Sequence, residues 1–366
     1  MREWSFAVIT DTHVGLDGWA TRFGQVRDFI VAHKDEWKIK ALFHCGDVWH
    51  SPTSESAINE VKNDYLDPLG IDYYIAVGNH DRDENDSPQI IYDIMGSHCP
   101  SKYYAVTINH HRFILIGQGY GFHSSPDGGT DEQDFWQQNL TKDYFNISIF
   151  HASLIDWEQD IWGNAATDPW FYQIPNASVF LNMIESLGEK HLHFHGHYHG
   201  DQWTSPELPE GYTHGVGMGN PDYPYLYQRG VESVWRSHVY PDPNESDGLR
   251  RKPWILICHV NGTKIQIEQY NAETGELYLS ETLDYYAGRD PCIVKQMKNN
   301  LTGYTEEWNG KTETFQAEFQ SVPDGMPVYY GDYEKPNRIE GGELVGCAGD
   351  VVLVKPSSTT VRLNRK

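Results

Sequence analysis

Positive charge is scarce in this chain of 366 residues: 28 lysines and arginines face 52 aspartates and glutamates, a formal net charge of -24. That balance repels a long polyanion and disfavours nonspecific nucleic-acid binding, while small substrates remain open. Long apolar runs are missing too. No stretch approaches the roughly 18–20 residues of a bilayer span. Met1-Arg2-Glu3-Trp4 leads into a strand pattern without a signal-peptide core, so a cytoplasmic chain with no membrane partner is expected. Cysteine is sparse and unpatterned. Cys45, Cys99, Cys258, Cys292 and Cys347 form an odd set without C-x-x-C spacing, which indicates neither a zinc knuckle nor a disulfide framework and leaves reduced thiols as the default. Against a cytoplasmic placement stand seven N-x-S/T sequons, at Asn85, Asn139, Asn146, Asn176, Asn244, Asn261 and Asn300, which are expected to stay unused unless a leader has been removed. The chain has no internal repeat, heptad or low-complexity tract.

What is present is enough for a large core. The composition is 39% hydrophobic with 13% aromatics, which excludes disorder. Residues 5–10 read as a buried strand, 20–33 as a helix with Phe23, Val26 and Ile30 on one face, and 41–45 as a second strand. A helix over 54–65 and a strand over 72–77 complete a βαβαβ order. Ser87-Pro88 has the form of a helix start. Residues 103–108 and 113–116 read as a hairpin whose His110 and His111 are expected to be exposed turn residues. Thr130 to Gln133 has capping-box spacing, 146–150 and 191–195 read as strands, and 177–187 as a helix stopped by Gly188. His191, His193 and His195 alternate with Leu192 and Phe194, read as a polar strand face with ordinary hydrogen bonds rather than a relay. Residues 215–227, rich in Gly, Pro and Tyr, suit a loop over a rim. Trp254–Val260 and Lys264–Tyr270 flank Asn261-Gly262, a hairpin signal expected to complete a second sheet.

Five short islands lie among these elements: Asp11-Thr12-His13, Gly46-Asp47, Gly78-Asn79-His80-Asp81, Phe150-His151 and Gly196-His197-Tyr198-His199. Singly each is weak, since acidic and Asn-Gly sequences commonly just form turns. Jointly they supply Asp and Asn oxygen with His nitrogen, the donor mixture that holds borderline divalent ions such as Mn, Fe, Co or Zn. Most of them follow a strand-like apolar run, so they fall where strands end. Two such ions about 3.5–4 Å apart are a device for in-line displacement at phosphorus.

In these islands, over roughly residues 5–200, the chain resembles the calcineurin-like metallophosphoesterase superfamily, with its pattern of D-x-H, G-D, G-N-H-D, a lone His and G-H-x-H. The resemblance implies an α/β fold, a four-layer α-β-β-α sandwich of two mixed sheets with the metals at strand C-terminal edges. It implies that Asp11, His13 and His199 hold one ion, that Asn79, His151 and His197 hold the other, and that Asp47 bridges both. His80 would be the acid for the leaving group rather than a ligand, and Asp81 a partner behind the ligands. A metal-bridging hydroxide would attack the phosphorus. Residues 1–290 are expected to form the catalytic domain and 291–366 a β-rich C-terminal extension.

The island spacing is similar to class III cyclic-nucleotide and glycerophosphodiester phosphodiesterases, so the first expectation is hydrolysis of a small phosphodiester. The stretch Gly46 to His50 contains no tyrosine, whereas the related purple acid phosphatases carry G-D-x-x-Y, so their ferric variant is disfavoured. Gly46-Asp47-Val48-Trp49-His50-Ser51-Pro52 with Asp11-Thr12-His13-Val14-Gly15 also resembles double-strand-break repair exonucleases, in which case His50 would be a second imidazole touching substrate. The net charge argues against a DNA enzyme. A phosphomonoesterase and a non-catalytic metal-binding scaffold complete the alternatives.

Overall fold

A computed structural model of the chain describes residues 4–109, 111–117, 130–141, 144–154, 177–188, 190–197, 225–231, 233–234, 252–261 and 264–284, with the backbone of short strands between 292 and 364. The first half builds β1 (Trp4–Ile9), α1 (Trp19–Trp37), β2 (Ile39–His44), α2 (Glu55–Glu60) and β3 (Asp72–Ile75), and the three strands pair in parallel. The Ser54 hydroxyl caps α2 by accepting from the Ala57 amide at 3.2 Å, and the helix runs on through a π turn, Val61–Leu66, into a 3₁₀ turn, Asp67–Leu69. Helix α1 extends beyond its sequence pattern because its last turn is anchored by aromatic packing. Trp37 stacks on His33 at 4.1 Å, and the chain then turns at the left-handed Lys38.

After α3 (Gln89–Met95), the strands β4 (Tyr103–Ile108), β5 (His111–Ile116), β6 (Phe145–Phe150), β7 (His191–His195) and β8 (Leu226–Gly230) form a second sheet in that order, with α4 (Thr130–Asn139) and α5 (Ala177–Leu187) between them. Only the β4–β5 pair is antiparallel, so this sheet is mixed. The strands β9 (Trp254–Asn261), β10 (Lys264–Asn271) and β11 (Leu277–Asp284) return to the first sheet, whose order is β11-β10-β9-β1-β2-β3. Short strands from β12 (Cys292–Ile293) to β18 (Thr360–Asn364) pair only with one another among the described residues.

Three apolar layers stack these parts. Phe6, Val8, Phe43, Phe113, Leu115, Ile147, Leu192 and Phe194 fill the space between the sheets. Ala7, Ile9, Leu42 and Ile257 face outward onto Phe23, Val26 and Ile30 of α1. Ile114, Ile116 and Phe150 face Trp136 of α4 and Phe180 of α5. The alternation along each strand is the period of two that sends neighbouring side chains to opposite faces. Together the layers make the α-β-β-α sandwich. Among the described residues no helix is long and apolar enough to cross a membrane.

Three sequence expectations are corrected. The β9–β10 hairpin does not complete the second sheet; β9 lies antiparallel to β1 in the first. Ile255 and Ile257 pack on the helix side while Leu256, Cys258 and Val260 pack between the sheets, so β9 is apolar on both faces and suits the interior of either sheet; the edge that β1 offers decides which one it joins. His111 is not an exposed turn residue. It opens β5 on the same face as Phe113 and is buried against Trp4, 5.2 Å between ring centroids, and Phe145, 4.9 Å. Leu226 and Tyr227 belong to β8 rather than to a rim loop; residues 215–224 and His110 lie outside the described residues. Asn146 is buried, and its side-chain amide donates to the Thr141 and Tyr144 carbonyls, which removes that sequon as an acceptor.

Phe113 meets Phe43 at 4.1 Å and Phe6 at 5.1 Å, bridging the sheets. Phe113→Ala is expected to cost about 3–5 kcal/mol of unfolding free energy, measured by urea denaturation at constant metal concentration.

Candidate metal centre

Five loops converge where strands of both sheets end: Asp11 to His13 after β1, Gly46-Asp47 after β2, Gly78 to Asp81 beyond β3, His151 after β6 and His197 beyond β7. The strand ends share one edge because the strands within each sheet run parallel there. Backbone hydrogen bonds carry the β1–β2 pairing past the strands: the Asp11 amide donates to Gly46 O, His13 to Asp47 O and Val14 to Val48 O, at 2.8–3.1 Å. Four site residues are left-handed, with φ of 51° at Asp11, 45° at His13, 54° at Asp47 and 67° at His197. This conformation costs an L-residue roughly 1–2 kcal/mol, so the surroundings must impose it. Two glycines permit the convergence. A Cβ on Gly78 would collide with the Asp47 carboxylate, and one on Gly196 with the Thr10 hydroxyl and the Asp11 carboxylate.

The donor atoms form two groups that share Asp47, one with Asp11 and His13 and the other with His151 and His197; within each, the atoms lie within 4.8 Å of one another. His13 Nε2 is 3.7 Å from Asp11 Oδ1 and 3.9 Å from Asp47 Oδ2. Asp47 Oδ2 is also 3.2 Å from His151 Nε2, which lies 3.0 Å from Asn79 Oδ1 and 3.1 Å from His197 Nδ1. Metal–ligand bonds of about 2.0–2.2 Å place neighbouring donors about 3.0–3.5 Å apart. The separations around His151 match that spacing, and those around His13 are a few tenths of an ångström wider. Several lone pairs converge on Asp47 Oδ2 and His151 Nε2 with no lysine or arginine among the donors, so the residues fit a pair of cations.

A second layer of hydrogen bonds aims these donors. His151 Nδ1–H donates to the Cys45 carbonyl at 2.8 Å, leaving the Nε2 lone pair for a metal. Asp11 Oδ2 accepts from the Thr10 hydroxyl and the His197 amide, at 2.8 and 3.0 Å. Asp47 Oδ1 accepts from the His80 amide at 2.7 Å. Asp81 accepts from the Trp49 and Gly78 amides, 2.9 and 2.7 Å, and so ties the Asp47 loop to the Asn79 loop. Burial and the nearby Asp47 charge push the Asp81 carboxyl up to about 7, partly opposed by those amides. Burial opposes ionisation of Asp47 as well, but His151, His13 and His80 outweigh it and hold that carboxyl well below its ordinary range. Burial holds His44 neutral, its pKa lowered to about 3.

The structure brings Asp11, His13, Asp47, Asn79 and His151 into one buried cluster with half-buried His197 beside them. His199 lies outside the described residues. His80 and His50 are half-buried at the rim, their rings stacked at 4.6 Å, and His80 is 5.1 Å from His13. His191 and His193 point away from this centre toward the helix layer, where the Ser148 hydroxyl bonds His191 Nε2 and His193 Nδ1 at 2.8 and 2.7 Å. Burial lowers all three strand histidines, His191 to about 3 and His195 to about 4, so the row is a neutral, buried polar face. Sequence reading missed His44 and Thr12 as supports. A single His closing the apolar run Ala41-Leu42-Phe43, three residues before Asp47, was the available signal.

Two measurements follow from His151. Burial alone would depress its pKa, but the Asp47 carboxylate beside it raises it to about 9. A metal must displace that proton, so below about pH 9 apparent affinity rises up to tenfold per pH unit for this one site. The same raised pKa stabilises the metal-free fold below about pH 6.5 and ceases to do so as pH rises through about 9. The Tm of chelated protein is expected to fall over that window, and that of Mn²⁺-loaded protein to hold. Because Asp47 belongs to both donor groups, Asp47→Asn is expected to lose most of the metal at both, read by elemental analysis of the purified protein.

A search of curated proteins finds no match to this chain. Among solved structures, the purple acid phosphatase PPD1 of yellow lupin (Lupinus luteus) is 12% identical with a TM-score of 0.52, covering 77% of this chain and 53% of that enzyme. The chain thus spans about half of the lupin protein. GAP50, the anchor in the inner membrane complex of Plasmodium, is 11% identical with a TM-score of 0.51, covering 78% of this chain and 90% of GAP50. A dimetal phosphatase from Danio rerio is 12% identical with a TM-score of 0.49, covering 78% and 100%. At these identities the first two likenesses concern the fold alone. The family model described as calcineurin-like phosphoesterase matches residues 5–201, more than half of the chain and all five converging loops. The chain therefore belongs to the calcineurin-like phosphoesterases, metal-dependent phosphoric ester hydrolases that work with a dinuclear centre.

Proposed function

We propose that the chain hydrolyses a small phosphodiester, of nucleotide or glycerophosphodiester type. The observation that carries this is the charge of the donor set. Among the described residues two carboxylates, Asp11 and Asp47, stand with neutral Asn and His donors. Against two divalent ions they leave a modest positive surplus suited to a phosphate ester anion. The formal charge of -24 on the whole chain weighs against long polyanions.

In this reading Asp11, His13 and His199 hold one ion, Asn79, His151 and His197 the other, and Asp47 is shared; Mn, Fe, Zn and Co all suit such N/O donors. When bound, the pair lowers the pKa of water and offsets the charge of the phosphoryl group. The protein's own groups do the rest. His151 is held in one tautomer by Cys45, and Asp81 keeps the Asp47 and Asn79 loops in register. His80 stands at the rim with its backbone fixed by Asp47, and it supplies the proton that the departing alkoxide needs. Burial lowers its pKa, so its acidic form is favoured as pH falls below neutrality. Residues 1–290 form the catalytic unit and 291–366 an extension to it.

The stacking of His50 on His80 favours a second reading, a DNA repair-type exonuclease in which both imidazoles face substrate. Metal-replete protein assayed on bis-p-nitrophenyl phosphate, p-nitrophenyl phosphate and blunt duplex DNA separates these. We expect kcat/KM at least about tenfold higher for the diester than for the monoester. Preference for the monoester would make the protein a phosphomonoesterase. Faster degradation of DNA ends than of a nucleotide diester would establish the nuclease, and hydrolysis of none would leave a metal-binding scaffold. His80→Ala is expected to lower kcat about 10²–10⁴-fold on a diester with an alkyl leaving group, far less on p-nitrophenyl esters, and to leave metal content unchanged.

A further inference from the structure

We infer that His44, acting through Thr12, is a positioning residue that holds the two ligand-bearing loops of the metal centre in a single geometry. The inference rests on Asp11, His13 and Asp47 being metal ligands, as in the reading above. His44 closes β2 and is 1% exposed; Thr12, between Asp11 and His13, is also 1% exposed. The Gly46 amide lies 3.1 Å from His44 Nδ1. An amide can only donate, so Nδ1 must carry a lone pair and the ring proton sits on Nε2. His44 Nε2 is 3.1 Å from Thr12 Oγ1, which therefore accepts. The Thr12 hydroxyl then has one proton to give, and the Val48 carbonyl lies 2.9 Å away to take it. The chain Gly46 N–H, His44, Thr12, Val48 C=O is closed at both ends by backbone groups that cannot reverse roles, so its direction is fixed.

Its anchor points bracket the donors. Gly46 and Val48 flank Asp47, and Thr12 sits between Asp11 and His13. All three of those donors have left-handed backbones, which an unrestrained loop would relax. The backbone pairing between the loops fixes their spacing along the sheet edge. The His44–Thr12 link adds a cross-strut on the buried side of these strained turns, beside the longer bond of 3.4 Å that the Thr10 hydroxyl makes to the Gly46 carbonyl. Since Asp47 belongs to both donor groups, a change in the tilt of its loop reaches both.

The test uses full-length protein stripped of metal by chelation and titrated with Mn²⁺ by calorimetry, with melting curves run in parallel. Outer residues that orient ligands typically contribute 10–100-fold to metal affinity. Thr12→Val keeps the shape and removes the hydroxyl, and is expected to raise the Mn²⁺ Kd roughly 10–100-fold. Thr12→Ser restores the hydroxyl and should bind within about threefold of the natural chain. His44→Gln retains a donor toward Thr12 without the acceptor for Gly46, and should weaken binding in the same range. If the strut is one unit, Thr12→Val combined with His44→Gln is little worse than either alone.

Thr12→Val with a cooperative melt and unaltered Mn²⁺ affinity would overturn the inference, and so would losses that simply add in the double variant. Should His44→Gln not fold, the Thr12→Val and Thr12→Ser comparison still decides it. Asp47→Asn serves as the control on the underlying reading. If it too binds Mn²⁺ normally, the ligand assignment has failed rather than the strut.

Discussion

The convergence of nitrogen donors from opposite sides on one carboxylate oxygen of Asp47 is the constraint around which this structure is arranged. His13 approaches from the first sheet and His151 from the second, so Asp47 Oδ2 stands at the seam between them. The other oxygen of Asp47 is committed to the His80 amide, which holds the carboxylate at a defined angle and places the rim imidazole at the same time. A buried carboxylate surrounded by imidazoles is costly unless cationic charge is supplied. In the metal-free state the proton on His151 supplies it, which ties the apo fold, metal binding and pH together.

Holding that oxygen in place requires the loops to adopt backbone conformations they would not choose alone. The compensation is distributed. Glycines at 78 and 196 allow close approach, backbone bonds run beyond the strands, and Asp81, Thr10, Thr12 and His44 spend their hydrogen bonds on the loops rather than on solvent. Beneath them the three apolar layers make the platform stiff, since close-packed interiors deform little. The rim differs in kind. His50 and His80 are less buried than Asp11, His13, Asp47, Asn79 and His151 and stack on each other, so they remain available to a substrate arriving from outside.

Much of the scaffold was legible in the sequence. The parallel βαβαβ start, the helix over Ala177–Leu187 stopped by the left-handed Gly188, and the hairpin around Asn261 all follow from local periodicity and turn chemistry. The errors fell where burial depends on what lies across the molecule. His111 looked like a turn residue because its neighbours are Asn109 and His110, yet its ring is covered by Trp4, more than a hundred positions earlier. The β9–β10 hairpin is legible as a hairpin, but the sheet it joins is not, because pairing partners are not encoded in the hairpin's own residues. The alternating histidines of β7 read as polar; only the helices packed over them make them buried and neutral.

By itself the sequence determined the chemical inventory: which donor types exist, that they fall at strand ends in one order, and that the chain belongs with metal-dependent phosphoesterases. Those properties are local, since residue identity and strand period settle them. Tertiary structure alone decided that donors 150 positions apart, as Asp47 and His197 are, come within 4.8 Å of one another. It also puts Asp47 in both donor groups, as the resemblance implies, and joins His44 to Thr12 behind it, which no motif announces. Such facts depend on how two sheets pack and on which hydrogen bonds that packing permits, a property of the whole chain that no short window of residues contains.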